Sequence, residues 1–313
     1  MQRIATVLGV TIGLVMALAG CSSAAPAPAP AAPPPPPLSP APVWDGTFGP
    51  RPVDAPCRGS ADDPRPGDVI CYHDDLDEPL EITVGGTPDA PITYSGTGET
   101  TVPGIRAEAD NIIIQGFVSA GAKDTGIWAA GRNVTIQDNT ITQVEFTQND
   151  LDAIRFFGDG ARVLHNYAYD VEGTSDIGES HVDCMQSFAT SRPGSSNVVI
   201  QGNRCEGIRA QCLMAEGPHV ADGSREGVSR NWLFEGNYCD AYAAAQSVSV
   251  QNIQDVTITR NVMDGKGNKA IALGQEATGV TVADDNTIGP RYGRAVGFDD
   301  PSARPGYQGP PVP

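Results

Sequence analysis

The sequence is poor in positive charge. Its 313 residues include 38 Asp and Glu but only 20 Lys and Arg, and lysine occurs only as Lys123, Lys266 and Lys269. A net charge of −18 repels nucleic acid and anionic lipid headgroups. The chain also lacks a phosphate-binding loop, a dinucleotide fingerprint, a zinc-spaced Cys/His cluster and a Gly-x-Ser-x-Gly elbow. We therefore exclude nucleic-acid binding and do not expect the common nucleotide cofactors.

A helical periodicity is also missing outside the first twenty residues. Instead, an alternating apolar run that ends in Asn recurs, as in 133–139 (NVTIQDN), 197–203 (NVVIQGN) and 255–261 (DVTITRN). The copies share one asparagine column: Asn139, Asn166, Asn203, Asn237, Asn261 and, in the last copy, Asp285 or Asn286. Period-2 alternation rich in Val, Ile and Thr predicts strands, and repeats of roughly 24 to 37 residues predict a solenoid. We predict an all-β fold, a single-stranded right-handed parallel β-helix with hydrogen bonds along the asparagine column.

A second strand row follows each asparagine. It reads small, then large and apolar, then variable: 126–128 (GIW), 153–155 (AIR), 184–186 (CMQ), 212–214 (CLM), 247–249 (SVS) and 270–272 (AIA). The middle residue should face the core and the third should face solvent. A polar or charged residue precedes each triplet: Thr125, Asp152, Asp183, Gln211, Gln246 or Lys269. This row predicts a polar edge on one face of the solenoid.

The N-terminus differs in composition from the repeats. Arg3 precedes an apolar run that is short for a membrane span and ends in small residues, as a signal peptide does. The sequence Leu18-Ala19-Gly20-Cys21 resembles a bacterial lipobox, which would make Cys21 the lipidated first residue of an exported protein anchored to the outer face of the cytoplasmic membrane. We divide the chain into a signal peptide (1–20), Cys21 with an Ala/Pro-rich linker (21–50), a β-helix with an N-terminal cap (51–298) and a Pro-rich C-terminal tail (299–313).

Six cysteines remain when Cys21 is set aside, an even number that suits an oxidising compartment. Cys184 and Cys212 occupy one repeat position on neighbouring coils, and so do Cys205 and Cys239. Neighbouring coils would bring each pair within the distance that a disulfide needs. A stack of buried free thiols is the alternative. Cys57 and Cys71 fit a clip across the N-terminal cap.

The longest repeats predict where ligands bind. Insertions at 142–151, 170–180, 190–196 and 217–229 flank the polar row and would wall a cleft. Ionisable and polar residues gather between them: Asp150, Asp152, Arg155, His181, Asp183, Gln186, Glu216 and His219. Asp152 and Asp183 would stack on adjacent coils, so that one pKa rises and the pair supplies one acid and one base. Alternatively, Asp150, Asp152 and Asp183 would bind Ca²⁺, or Asp152 would only cap a turn.

These repeats, with an Asp directly before the second strand row, resemble the pectin lyase-like superfamily over residues 65–298. The resemblance implies an extracellular carbohydrate-active protein. Lyases of this superfamily commonly combine Ca²⁺ with a Lys or Arg base; no lysine lies near the cleft in the sequence, so Arg155 or His181 would serve. Its polygalacturonase-like hydrolases use clustered aspartates in neighbouring coils. Asp152 and Asp183 are similarly placed, although the paired Asp-Asp of those enzymes is absent.

We predict a surface-anchored protein that acts on polysaccharide as a glycoside hydrolase or a lyase. Asp152, Asp183 and His181 are the catalytic candidates. Arg155, Gln186, Trp128, Glu216 and His219 would hold sugar units, with Trp128 as a stacking platform. No cofactor is expected for a hydrolase, and Ca²⁺ is expected for a lyase. The protein should be a monomer that meets membrane only through the lipid on Cys21. A non-catalytic glycan-binding or structural lipoprotein is the competing prediction.

Overall fold

A computed structural model describes residues 43–147, 150–173, 181–189, 193–218 and 229–312. Cys21, the signal peptide and His219 lie outside these ranges. Within them, no helix is long and apolar enough to cross a bilayer. One 3₁₀ turn, Pro301–Ala303, is the sole helical element of the described residues.

Parallel strands stack into three faces. Face one consists of β1 (Val69–Cys71), β3 (Ile92–Val102), β5 (Ile112–Ala120), β7 (Val134–Gln137), β10 (Arg162–Leu164), β13 (Val198–Gln201), β16 (Ser229–Glu235), β19 (Ile253–Thr259) and β22 (Thr281–Val282). Face two consists of β8 (Thr140–Thr142), β11 (Tyr167–Tyr169), β14 (Arg204–Ile208), β17 (Tyr238–Ala241), β20 (Val262–Met263) and β23 (Thr287–Ile288), together with the ends of β3 and β5. Face three consists of β2 (Leu80–Ile82), β4 (Ile105–Glu108), β6 (Thr125–Ala130), β9 (Leu151–Phe157), β12 (Val182–Ser187), β15 (Leu213–Glu216), β18 (Val248–Gln251), β21 (Ile271–Leu273) and β24 (Val296–Phe298). The all-β parallel solenoid predicted from the repeats is confirmed.

The interior is one continuous core of mainly aliphatic side chains from all three faces. On face three, Ile127, Ile154, Met185, Leu213, Val248 and Ile271 stack in register and are at most 1% exposed. These are the middle residues of the triplets, as the alternation predicts. Each fully buried Ile, Leu or Met contributes about 1.5–3 kcal/mol through the hydrophobic effect.

The asparagine column forms the corner between faces one and two. Each side-chain amide donates to the Oδ1 atom of the next asparagine, over 3.0 Å from Asn139 to Asn166, 3.0 Å from Asn166 to Asn203 and 2.9 Å from Asn203 to Asn237. The ladder continues through Asn261 to Asn286, which settles the register of the last copy. The residue before each asparagine except Asn286 has positive φ, for example 55° at Asp138 and 68° at Gly202. The sharp bend needs this left-handed residue, and the Asn side chain satisfies the backbone groups that the bend exposes.

A second column of residues with positive φ lies near the start of the face-one strands. Our sequence analysis did not identify it. Asn111, Asn133, Asn197 and Asn231 have φ between 56° and 59°. Asn133 donates its amide to Asn111 Oδ1 over 2.8 Å. The signal was visible in the sequence, because two of the quoted repeats also begin with Asn.

All six cysteines predicted to form disulfides do so, but two of the predicted pairings are wrong. Cys57 pairs with Cys71 as expected, whereas Cys184 pairs with Cys205 and Cys212 with Cys239. Side chains at equivalent positions of parallel neighbouring coils point in the same direction, so their sulfur atoms do not face each other. Cysteines on face three and on the next strand of face two point toward each other across the core, with Cα atoms 5.9 and 5.6 Å apart.

The predicted linker does not extend to residue 50. Residues 43–57 form a strap along the asparagine corner, and its contacts follow successive coils. Gly49 donates its N–H to the Gly202 carbonyl over 2.8 Å, and Arg51 binds both carboxylate oxygens of Asp138. Trp44 lies so close to Gly236 that a Cβ atom there would be 2.4 Å from its ring. The glycines at this corner therefore have two roles. Their positive φ allows the bend, and their lack of a side chain leaves space for the strap.

The segment predicted as a C-terminal tail caps the last coil. Gln308 exchanges backbone hydrogen bonds with Val280 and Val282. Ala303 is fully buried, and the rings of Phe298 and Tyr307 meet edge to face at 5.1 Å. The cap satisfies a sheet edge that would otherwise be open.

Candidate functional site

The outer surface of face three brings the predicted site residues together. Cα register places Trp128 opposite Arg155 and Arg155 opposite Gln186 on successive coils. The polar row aligns in the same way, with Thr125 opposite Asp152 and Asp152 opposite Asp183. Asp152 and Arg155 are three residues apart, so strict alternation would place them on opposite faces of the strand. The Arg155–Asp152 hydrogen bond shows that the two rows nevertheless meet on face three.

Asp152 and Asp183 lie side by side on neighbouring strands, and both are 0% exposed. Arg155 Nε donates to Asp152 Oδ2 over 2.6 Å, and its side chain is 15% exposed. Asp183 Oδ1 accepts the Gln211 N–H over 2.8 Å, and its Oδ2 lies 3.4 Å from Gln186 Nε2. In the described residues, Asp152 Oδ1 and Gln186 Oε1 are buried without a hydrogen-bond partner. These two acceptors are closed to solvent, and the acidic proton of a neighbouring carboxyl group would supply a donor.

Burial raises the pKa of both carboxyl groups, rather than one only. The pKa of Asp183 lies well above its usual range because of burial and the neighbouring charge of Asp152. Burial raises the pKa of Asp152 to about 7, although the positive charge of Arg155 opposes the shift. Because Arg155 contacts Asp152 and not Asp183, the ionised form belongs to Asp152 and the proton to Asp183. The pair still supplies one acid and one base.

We expect the free energy of unfolding to fall less in Asp183→Asn than in wild type as the pH rises from about 4 to about 8. The folded pKa values are raised, so the native chain binds more protons than the unfolded chain above about pH 4, and its stability falls as the pH rises through about 7. For Asp152 alone, the rise of the pKa to about 7 corresponds to roughly 4 kcal/mol. Urea denaturation at several pH values should show a shallower fall for the variant.

The exposed carboxylate Asp89 provides the control for this measurement. Asp89→Asn makes the same change in net charge without altering the buried pair. If the stability of both variants falls with pH as steeply as that of wild type, the pKa of Asp183 is not raised.

Two grooves meet at Trp128. One, of about 660 Å³, is lined by acidic and basic groups that include Glu78, Arg106, Lys123 and Arg155. The other, of about 700 Å³, runs past Glu108 and Asp110. The Arg106 guanidinium lies 4.1 Å from the Trp128 ring centroid. An indole between two polar grooves is suited to stacking on a sugar ring.

Sequence reasoning missed several residues of this surface. We expected no lysine near the cleft, but the fold brings Lys123 into the groove beside Trp128. Phe157 and Phe188 extend the aromatic surface, with ring centroids 5.7 Å from Trp128 to Phe157 and 5.0 Å from Phe157 to Phe188. Both follow the third triplet residue by two positions, a spacing that would have revealed them.

The other candidates are less central. His181 is exposed and lines a separate recess with Arg209, Gln211 and Gln246, and no contact of its ring with the carboxyl pair is found among the described residues. Its carbonyl accepts the Leu151 N–H over 3.0 Å. Glu216 is half-buried at the end of β15, Asp150 is exposed, and His219 lies outside the described residues.

The three aspartates do not fit a Ca²⁺ site. Asp152 is engaged by the Arg155 guanidinium, and Asp183 accepts a backbone N–H. Within the described ranges, the carboxylates of Asp150, Asp152 and Asp183 do not all three lie within 4.8 Å of one another. Calcium needs six to eight oxygen ligands, and a guanidinium at the site would repel it.

A family model described as a right-handed β-helix region matches residues 103–288, more than half of the chain. The chain belongs to the right-handed β-helix family. A search of curated proteins finds no match. The resemblance to the pectin lyase-like superfamily is confirmed for the fold, and a right-handed β-helix is compatible with a carbohydrate-active protein. The matched range of this family member contains Trp128, Asp152 and Asp183.

Proposed function

We propose that this protein is an exported, carbohydrate-active enzyme that hydrolyses a polysaccharide bound along face three. One observation carries the proposal: Arg155 lines the groove beside Trp128 and also holds Asp152. A glycan stacked on Trp128 therefore lies one side chain away from the carboxyl pair. The lipid on Cys21 would keep the enzyme at the cell surface.

The pair supports hydrolysis by acid–base chemistry. Asp183 donates its proton to the glycosidic oxygen as the C–O bond breaks, and the Asp152 carboxylate acts as nucleophile or removes a proton from the attacking water. Water supplies the hydroxyl group of the new reducing end. Arg155 keeps Asp152 ionised when Asp183 is protonated. Arg155 is a poor candidate for the base of a lyase, because its guanidinium is paired with a carboxylate.

A non-catalytic glycan-binding protein is the second candidate, and one observation favours it. Both carboxyl groups are 0% exposed, so a substrate reaches them only if the groups that cover them move. In that case the pair would have no role in catalysis, and Trp128 with Arg106 would hold the glycan.

The deciding experiment incubates the full chain with a panel of neutral and uronate polysaccharides. Reducing ends without ultraviolet absorbance from an unsaturated product establish a hydrolase. Reducing ends with that absorbance establish a lyase, and Lys123→Met then tests the lysine in the groove. Binding without any cleavage establishes the second candidate. Neither binding nor cleavage across the panel contradicts both.

Trp128→Ala should weaken glycan affinity about 10–100-fold, because covering the indole with a sugar ring buries apolar surface that contributes about 1.5–3 kcal/mol. The effect should raise KM and leave kcat nearly unchanged, since the ring binds ground state and transition state alike. Isothermal titration and initial rates measure the two effects. Trp44→Ala is the matched control, because Trp44 lies on the strap away from face three. Equal losses in both variants would contradict the role of Trp128.

A further inference from the structure

A cysteine and histidine cluster lies at the start of the solenoid, away from face three. Cys57 ends the strap, Cys71 ends β1, and His73 follows two residues later. The ligand atoms of the three side chains lie within 4.8 Å of one another. The distance from Cys57 Sγ to His73 Nε2 is 3.8 Å.

The separation of the Cys57 sulfur and the His73 nitrogen matches that of two ligands in a tetrahedral zinc site. With Zn–S of about 2.3 Å and Zn–N of about 2.0–2.1 Å, tetrahedral angles place S and N about 3.6 Å apart and two sulfur atoms about 3.8 Å apart. The sulfur and nitrogen atoms of Cys57 and His73 are already near that distance. The Cα atoms of Cys57 and Cys71 are 5.7 Å apart, so rotation of the side chains can separate the sulfur atoms once their bond is broken.

The surroundings leave room for an ion and a fourth ligand. Cys57, Cys71 and His73 line a recess of about 210 Å³, and Asp54 lines the same recess. Cys57, His73 and Asp54 are exposed. A set of two thiolates and one imidazole selects zinc among the abundant divalent cations, with a carboxylate or water in the fourth position.

We propose that Cys57, Cys71 and His73 form a Zn²⁺ site when the Cys57–Cys71 disulfide is reduced. A dithiol or phosphine reductant supplies two electrons, the S–S bond breaks, and the sulfur atoms take up two protons. Zinc then displaces both thiol protons and binds the two thiolates and the His73 imidazole. The disulfide and the metal exclude each other, and either one ties the strap to β1. The inference is independent of the proposed hydrolysis.

The other two disulfides provide an internal comparison. Their four cysteines are at most 2% exposed, whereas Cys57 is open to solvent. Among the described residues, Cys57, Cys71 and His73 form the sole group of three candidate ligands with this proximity. A mild reductant should therefore reach Cys57–Cys71 first and leave the core disulfides intact.

The test treats the folded full chain with a phosphine and follows metal binding. Alkylation and mass spectrometry should first find two free thiols, at Cys57 and Cys71, and Cys21 adds a third only in protein that carries no lipid. The reduced protein should bind one Zn²⁺ in competition with a chromophoric chelator, and Co²⁺ should give a thiolate charge-transfer band. The oxidised protein should show neither. His73→Ala should weaken binding by more than the 10–100-fold that loss of an outer-shell partner costs.

Matched variants make the result decisive. Cys57→Ser/Cys71→Ser, reduced in the same way, should show neither zinc binding at this site nor the cobalt charge-transfer band, and any residual metal binding measures the contribution of other thiols. Cys21→Ser should bind zinc as the wild type does. Circular dichroism checks that the reduced chain stays folded. Equal zinc binding by the reduced wild type and the double serine variant would overturn the proposal, and so would an unchanged affinity in His73→Ala.

Discussion

Asp183→Asn protein should hydrolyse polysaccharide about 10²–10⁴-fold more slowly than wild type, the contribution of a positioned general acid. The amide keeps the size of the carboxyl group and can still accept the Gln211 N–H at its oxygen. It cannot donate a proton to the departing oxygen. The loss should therefore fall on kcat, while glycan affinity stays within a few-fold of wild type. Initial rates of reducing-end release and isothermal titration measure the two quantities.

Two comparisons distinguish loss of the general acid from loss of activity through misfolding. Asp89→Asn carries the same charge change at an exposed turn and should keep wild-type rates. The pH-dependent stability of Asp183→Asn, with its shallower fall toward pH 8, should show that the variant folds. Wild-type kcat in Asp183→Asn would rule out its role as the acid.

The repeat explains why so much of the fold could be predicted from sequence. Each coil repeats the same local problem, so the alternation around Ile136, Ile200 and Ile258 sets strand direction and register together. The asparagine column followed for the same reason, because a side chain that satisfies one bend satisfies the next one in line. Sequence reasoning succeeded wherever the determining contacts join equivalent positions of adjacent coils.

Sequence reasoning failed where contacts join positions that are not equivalent in the repeat. Cys184 meets Cys205 across the core, and periodicity carries no information on which interior positions face each other. The strap was predicted as linker because its proline-rich surroundings resemble one, and its docking depends on glycines that look like ordinary turn residues.

The candidate site shows the same division. The stacking of Asp152 on Asp183 and the alignment of Trp128 with Arg155 were predicted from register. The complete burial of Asp152 and Asp183 was not predicted, because it depends on the side chains and turns that cover these two residues. Lys123 lies before its strand, at a corner, and only the bend of the chain brings it into the groove.

Asn203→Ala should lower the free energy of unfolding by about 3–5 kcal/mol. Asn203 donates its amide to Asn237 Oδ1 over 2.9 Å and to the Val163 carbonyl over 2.8 Å, and its Oδ1 accepts the N–H of Asn166 over 2.9 Å. Alanine leaves that carbonyl and that N–H buried without partners, at about 1–3 kcal/mol each. Urea denaturation followed by fluorescence and circular dichroism measures the change. Asn286→Ala is the matched control, because Asn286 ends the ladder and is only partly buried, so water replaces its contacts and the loss should be about 1–2 kcal/mol. Equal losses at both positions would mean that the ladder stabilises each coil separately, and that burial at the centre of the stack adds nothing to the strength of its hydrogen bonds.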